Sequence, residues 1–369
     1  LTFRSARAAT LVLALFAADG VEADDAAPTP RWLVGDLHVH VSPPDAPGHS
    51  TLTVESAVAE ARKRSIDFLV LTPHGVDASF ASLVRRTAAP TPAPADVPPP
   101  RAIVVVAGWE FTRETPGHLG VSFVDVASLA DVADDKKAAT ALAKGALVVV
   151  NHPFFRPVAS DLPLMKKLTG DRGWRPFLGE GEDDRQWNAI EVWHERSVLV
   201  QRLHADRADK FPDTQMVSHA LRAWDKATRE QRRRIVAVGG SDCHGHVPYA
   251  LVPMPMVSVR VDSADEDGLH RGLLAAHVAF GEKGGAAARD LKATSDVAGA
   301  AASIGDSLAA KSEVRLTWTG KATLVEDGVR VGEFDGGAVR KVEPAGTFHF
   351  WRIETAGDAY SNCVYANLP

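Results

Sequence analysis

The residues best suited to chemistry begin with His38 and His40, in Gly35-Asp36-Leu37-His38-Val39-His40 after the apolar run Trp32-Leu33-Val34. On an extended strand side chains alternate faces, so imidazoles at i and i+2 point the same way and can grip one cation. A lone His-x-His is a weak signal; the rest of the chain strengthens it. Four later apolar runs also end on His, Asp or Glu: 69–74 on His74, 104–110 on Glu110, 148–152 on His152, and 235–244 on Asp242 and His244. His49 lies in Gly48-His49-Ser50-Thr51, and His118 stands just ahead of the run 119–124. The candidate metal ligands are therefore His38, His40, His49, His74, Glu110, His118, His152, Asp242 and His244. The set has no thiolate, and imidazole with carboxylate suits zinc, manganese or iron. It exceeds what one four-coordinate ion needs, so two to three divalent ions are implied, with Glu110 or Asp242 able to bridge. Paired ions activate bound water, zinc bringing its pKa from about 15.7 to about 7, and clamp the attacking and leaving oxygens. The reaction class this chemistry points to is hydrolysis.

The elements that must position these residues are buried strands. Continuous apolar runs are the mark of parallel strands covered on both faces, and ligands at their C-terminal ends are where barrel active sites assemble. Thr53 to Arg64 reads as a helix, with Thr53 as cap, Glu55 and Ser56 in the first turn and basic residues at the end. Strand, loop, helix and strand 67–72 make a parallel βαβ unit. Only eight residues separate Glu110 from Leu119-Gly120-Val121-Ser122-Phe123-Val124. That is too short for a crossover, which takes about a dozen. The two runs are therefore expected to form an antiparallel hairpin, with His118 near Glu110. Ala133 to Lys144, Val198 to Lys210 and Thr214 to Arg234 read as helices, and 146–150, 188–193 and 235–240 as strands. Thr87 to Pro100 is a proline-rich excursion, and the acidic run Glu180 to Asp184 reads as a solvated loop. Composition shifts near residue 283, and short alternating runs after it predict a small all-β appendage.

Bulk properties narrow the function classes. At 369 residues and 45% hydrophobic, the chain is long enough for one large domain and an accessory one. A net charge of −6 gives no reason to expect nucleic acid, which demands a basic face. Cys243 and Cys363 are too few for a cysteine-rich zinc site; a disulfide between them is left open. Arg4 and Arg7, the apolar run 10–18 and Val21-Glu22-Ala23 have the three-part pattern of a signal peptide over residues 1–23, which predicts a secreted or periplasmic protein. The apolar run is shorter than the roughly 20 residues that span a bilayer, so no membrane association is expected after cleavage. A plain amphipathic helix is the alternative there, and residue 1 is Leu.

Taken together, Asp36-Leu37-His38-Val39-His40, Gly48-His49-Ser50-Thr51, Thr72-Pro73-His74, Gly108-Trp109-Glu110, Gly117-His118, Asn151-His152-Pro153 and Ser241-Asp242-Cys243-His244 resemble the polymerase-and-histidinol-phosphatase (PHP) family of metallohydrolases. The order and approximate spacing match over about residues 32–250. The resemblance implies a distorted (β/α)7 TIM-like barrel, here residues 24–283, followed by the β-rich segment 284–369. It also implies one ion on His38, His40, Glu110 and Asp242, a second on Glu110, His118 and His152, and a third on His49, His74 and His244. Ile190-Glu191-Val192-Trp193, the ending Tyr360-Ser361-Asn362-Cys363-Val364-Tyr365 and the leader resemble the carbaryl-hydrolase-like branch. One departure is Pro73, where the family usually carries an aspartate that supports the next histidine.

The other polar residues have ordinary readings beside the functional ones. His204, His219, His270, His277 and His349 lack motif context and read as structural or surface residues. Asp36 reads as a hydrogen-bond partner orienting a ligand histidine. Glu191, at a strand end, faces either substrate or core. His194 and Arg156 are the candidate catalytic residues, the first at a strand end and the second placed to meet a substrate anion; a rim histidine and a surface arginine are the bland alternatives. The expected activity is metal-dependent hydrolysis of a small-molecule phosphate ester. Carbamate, ester or amide hydrolysis on the same centre, or metal binding without turnover, are the alternatives.

Overall fold

The computed structural model describes residues 30–88, 101–112, 118–153, 186–195, 198, 216–246 and 250–369. The leader, Arg156, the acidic run 180–184, nearly all of the 198–210 helix and most of the proline-rich excursion lie outside them. The architecture is mixed α/β. In chain order the strands are β1 (Arg31–Val39), β2 (Phe68–Leu71), β3 (Val104–Ala107), β4 (Trp109–Thr112), β5 (His118–Ser122), β6 (Leu147–Asn151), β7 (Ala189–His194), β8 (Val236–Gly240), β9 (Val257–Val261) and β10 (Val278–Gly281). The C-terminal strands are β11 (Lys292–Ser295), β12 (Ala301–Ser303), β13 (Ser307–Leu308), β14 (Glu313–Glu326), β15 (Val329–Lys341), β16 (His349–Thr355), β17 (Ala359–Ser361) and β18 (Val364–Ala366). The α-helices are α1 (Val54–Lys63), α2 (Ala78–Ala88), α3 (Asp134–Ala143), α4 (Met216–Gln231) and α5 (Glu266–Leu274), and they pack on the strands before β10.

Local sequence explains the elements that matter for the site. Helix α1 starts where Thr53 and Ser56 exchange side chain and backbone in a capping box, which satisfies N–H groups a helix start leaves bare. Its buried stripe, Val54, Ala57, Val58 and Ala61, follows helical spacing. Strands β1, β2 and β3 pair in parallel, as do β6, β7 and β8, and β2, β6 and β8 are buried throughout. The expected hairpin is present: β4 and β5 run antiparallel, with Glu110 opposite Gly120 and Thr112 opposite His118.

The ladders do not form one ring of seven strands among the described residues. They form a five-stranded sheet, β4-β5-β6-β7-β8, and a thirteen-stranded sheet that includes β3-β2-β1-β9-β10 and the C-terminal strands. The sheets adjoin at two seams. Gly108 alone separates β3 from β4. At the other seam Val39 bridges Cys243, and the His40 N–H donates to the Cys243 carbonyl at 2.9 Å. The C-terminal strands continue the large sheet, because β17 pairs with β10 at Ala279–Ser361 to Gly281–Ala359. Both cysteines are buried free thiols, so the disulfide left open by the sequence is not formed. Among the described residues no helix is long and apolar enough to cross a membrane.

Candidate metal centre

Successive strand ends converge on one point. His38 lies in β1 and His40 follows it; His74 follows β2; Glu110 lies in β4 and His118 begins β5; His152 follows β6; Asp242 and His244 follow β8. The structure brings all nine expected residues together. At the centre His38 Nε2 is 3.2 Å from His40 Nε2, 3.2 Å from Glu110 Oε1 and 3.4 Å from Asp242 Oδ1. His40 Nε2 is 3.2 Å from Glu110 Oε2 and 3.3 Å from Asp242 Oδ1. A tetrahedral ion with ligands at about 2.0–2.1 Å keeps its donor atoms about 3.3–3.4 Å apart. The separations that involve His38 and His40 therefore match the spacing such an ion requires, and one ligand atom from each of the four buried side chains lies within 4.8 Å of the others.

Glu110 is the hub. Its Oε1 also lies 3.1 Å from His118 Nδ1 and 3.2 Å from His152 Nε2, and its Oε2 is 3.6 Å from His74 Nε2. Two further groups could hold an ion: His74 with Glu110 and His118, and His40 with His49 and His74. His244 joins the latter through Nε2, 3.1 Å from His49 Nε2. His74 thus stands between the second and third groups rather than in the third alone. His49 and His74 are partly exposed, whereas His38 and His40 are buried, so the third group faces solvent.

The ligand atoms are aimed by partners that sequence reading largely missed. Glu191 Oε1 accepts from His38 Nδ1 at 3.1 Å, and Asp45 Oδ2 accepts from His40 Nδ1 at 3.0 Å. Asn151 Nδ2 donates to Glu110 Oε1 at 2.8 Å. Asp36 does not orient an imidazole; it takes the backbone N–H groups of His38, Ser241 and Met254 and so fixes the main chain. The support that Pro73 cannot give His74 comes from three bonds. Its N–H donates to Asp45 Oδ1 (2.6 Å), its Nδ1 to the Glu110 carbonyl (3.1 Å), and its own carbonyl accepts from Trp109 Nε1 (2.9 Å). His246 Nε2 donates to the His49 carbonyl at 2.9 Å. Asp45 and His246 sit in loops with no period or motif to single them out; their roles depend on contacts across the fold.

Burial opposes charge on every group here, and mutual pairing outweighs it at the centre. Burial would lift the Glu110 and Asp242 carboxyls, yet neighbouring imidazoles hold both well below the usual carboxylate range. Burial would lower His38, yet Glu110, Glu191 and Asp242 raise it well above the ordinary histidine value; His40 is raised to about 10 against its burial by bonds to Asp242, Asp45 and Glu110. Burial wins at His49 and His74, which are lowered, and at His244, lowered to about 3. Those three are neutral at pH 7 and offer the lone pair a cation needs. Two residues of the cluster also hold left-handed backbone, His152 (φ +27°) and Asp242 (φ +52°). Such strain costs about 1–3 kcal/mol and persists only where surroundings impose it.

Of the two candidate catalytic residues, His194 is buried at the end of β7 with Nε2 3.4 Å from Asp242 Oδ2. Arg156 lies outside the described residues. Glycine is required at Gly240, because a Cβ there would meet Glu191 Oε1 at 2.1 Å and the His38 Cβ at 2.5 Å.

No protein-family model matches the chain, and no curated protein matches it. Among solved structures, it is similar to a two-domain protein containing a predicted PHP-like metal-dependent phosphoesterase from Bacteroides vulgatus, at 14% identity over 89% of this chain and 92% of that one, TM-score 0.41. It is also similar to a lesion-specific endonuclease, PfuEndoQ, from Pyrococcus furiosus, at 11% identity over 66% of this chain and 56% of that one, TM-score 0.36. A third is an amidohydrolase from Chromobacterium violaceum, at 13% identity over 57% of this chain and 87% of that one, TM-score 0.28.

Proposed function

We propose that this chain is a PHP-type metal-dependent hydrolase acting on a small-molecule phosphate ester through two or three divalent ions of zinc, manganese or iron. The observation that carries the reading is the convergence of His38, His40, Glu110 and Asp242: the two imidazole Nε2 atoms lie 3.2 Å apart and each is 3.2–3.4 Å from a Glu110 and an Asp242 oxygen, and one ligand atom from each of the four lies within 4.8 Å of the others. Glu110 with His118 and His152 would hold a second ion, and His49, His74 and His244 a third. Ions bound there would supply activated water and charge stabilisation. Glu191 and Asp45 keep Nε2 of His38 and His40 turned inward. His194, held by Asp242, is the residue assigned to hydrogen-bond the leaving group, and Arg156, which follows His152 in the sequence, is assigned to receive a substrate anion. In this reading the two sheets together make the distorted barrel of residues 24–283, with 284–369 as its β-rich extension and 1–23 as an export signal to the periplasm or exterior.

Carbamate, ester or amide hydrolysis is the second reading, along the carbaryl-hydrolase-like branch. What keeps it open is the cation supply: phosphate recognition usually recruits lysine or arginine, and the sequence offers Arg156 and the cluster's histidines for that role. The deciding experiment counts metal per chain and assays phosphomonoesters, phosphodiesters and aryl carbamates with and without chelator. Chelator-sensitive turnover of phosphate esters supports the first reading, and of carbamates the second. Bound metal without turnover of any class leaves a binding protein.

A further inference from the structure

Two buried carboxylates outside the nine-residue cluster make the same pair of contacts on opposite sides of it. Glu191 takes Nδ1 of His38 on Oε1 at 3.1 Å and the main-chain N–H of His152 on Oε2 at 2.6 Å. Asp45 takes Nδ1 of His40 on Oδ2 at 3.0 Å and the main-chain N–H of His74 on Oδ1 at 2.6 Å. Each therefore ties a ring of the first group to the backbone of a histidine from another group. The His152 backbone held in this way is the left-handed one, at φ +27°.

We infer that Glu191 and Asp45 are positioning residues that couple filling of the first metal group to filling of the other two, Glu191 toward His118 and His152, Asp45 toward His49 and His74. The inference rests on the metal-centre reading above. A carboxylate on Nδ1 fixes the tautomer that leaves Nε2 free to ligate and raises its basicity. When His38 Nε2 donates its lone pair, its Nδ1–H becomes a stronger donor and draws Glu191 inward. The second oxygen of the same rigid carboxylate moves with it, and the His152 backbone follows. The same sequence links His40 to His74 through Asp45. Coupling of this kind is reciprocal, so filling either outer group also favours the first.

The test is a Co2+ titration of the metal-stripped full chain, followed by visible absorption and checked by metal counting. It compares wild type, Glu191→Gln and Asp45→Asn, each also in His49→Ala and His118→Ala backgrounds that break the third or second group. A carboxamide offers one oxygen and must turn its NH2 toward one of the two donors, so each substitution breaks one end of a tie. The expected result is joint filling in wild type and separate steps in the variants. Glu191→Gln weakens the first and second groups by about 10–100-fold and spares the third; Asp45→Asn weakens the first and third by a similar factor and spares the second. If Glu191→Gln fails to fold, Glu191→Asp keeps the charge but is too short to reach both donors, and it is read in the same way. Identical affinities and steps in wild type and variants overturn the coupling alone, as does equal weakening of all groups by both substitutions. A wild type that takes up no Co2+ overturns the metal centre itself, and the coupling with it.

Discussion

Asn362 closes its side-chain amide on the main chain of Ala237: Oδ1 accepts the N–H at 2.8 Å and Nδ2 donates to the carbonyl at 2.7 Å. The same Nδ2 donates to the Val278 carbonyl at 3.1 Å, as does the Asn362 N–H at 2.9 Å. Ala237 belongs to the five-stranded sheet and Val278 to the large one, so a single side chain staples β8 to β10. Asn362→Ala leaves both Ala237 groups buried without this partner, at about 1–3 kcal/mol each. We expect a clear fall in the urea midpoint. Asn362→Asp should fall further, because a carboxylate cannot donate to the two carbonyls. Unchanged midpoints would mean that the Val39–Cys243 seam suffices to join the sheets.

A second link between the C-terminal strands and the sheet core is sensitive to acid. Asp306 accepts from His277 Nε2 at 2.7 Å and from Arg260 Nη2 at 3.0 Å. Burial pushes its carboxyl up, and these two partners outweigh burial and hold it well below the usual range. A carboxyl whose folded pKa is depressed adds stability above its unfolded pKa, about 3.9, and loses it as pH falls toward the folded value. Asp306→Asn should therefore destabilise at pH 7, and the gap to wild type should narrow progressively as pH falls below about 3.9. The side chain is 39% exposed, so solvent screening keeps the difference under about 1 kcal/mol. Denaturant melts across pH 2–7 read both size and sign; a gap that widens in acid would contradict this role.

Much of the centre is legible in the sequence because buried parallel strands write themselves as apolar runs, and the residue that ends each run must lie at the same end of the sheet. The β4–β5 hairpin is legible for a different reason, the eight-residue limit that placed His118 beside Glu110. Helix α2, β9, α5 and β10 leave weaker marks in the sequence. Their runs are short, and only two aspartates mark boundaries: Asp77, which accepts the Phe80 N–H at the start of α2, and Asp265, which caps α5 by accepting the Gly268 N–H. Asp45 was illegible in principle. It matters because a proline-rich loop folds back to put its second oxygen on the backbone of His74, 29 positions later, and no local pattern encodes that closure. The C-terminal strands read correctly as β, yet their pairing with β10 depends on tertiary contacts that alternation cannot specify.

Helix α4 is fastened to the C-terminal strands by a buried ion pair. Arg352 grips Asp225 at 2.9 and 2.8 Å and reaches Glu354 at 2.7 Å, and its guanidinium lies over Trp224. Burial works against the Arg352 charge, and Asp225 outweighs it and raises the pKa. Removing one partner of such a pair strands the other, at about 3–5 kcal/mol, whereas replacing both with apolar residues of similar volume is often neutral or better. Asp225→Leu leaves Arg352 with Glu354 alone and should cost up to about 3–5 kcal/mol, and Asp225→Leu with Arg352→Met should recover most of it. Glu354 keeps Arg330 at 2.7 Å in the double variant. Chemical denaturation of wild type, Asp225→Leu, Arg352→Met and the double variant checks this; an additive double variant would show that the pair is not coupled.

Glu110 allows the metal reading to be tested through stability as well as turnover. It is the one side chain within 3.2 Å of His38, His40, His118 and His152 among the described residues, so its loss should disturb more than one group. Ligands that bind only the folded state stabilise it, by about 2.7 kcal/mol at a concentration one hundred times the dissociation constant. Wild type should therefore melt higher with Zn2+ than with chelator, and Glu110→Gln should lose most of that difference. Its hydrolysis should fall by more than the roughly 10–100-fold typical of outer-shell substitutions. Paired melts of wild type and variant, each with metal and with chelator, separate the two effects. A variant that keeps both the metal-dependent shift and the activity would remove Glu110 from the centre, and a variant that loses activity alone would make it a group acting on substrate rather than a ligand.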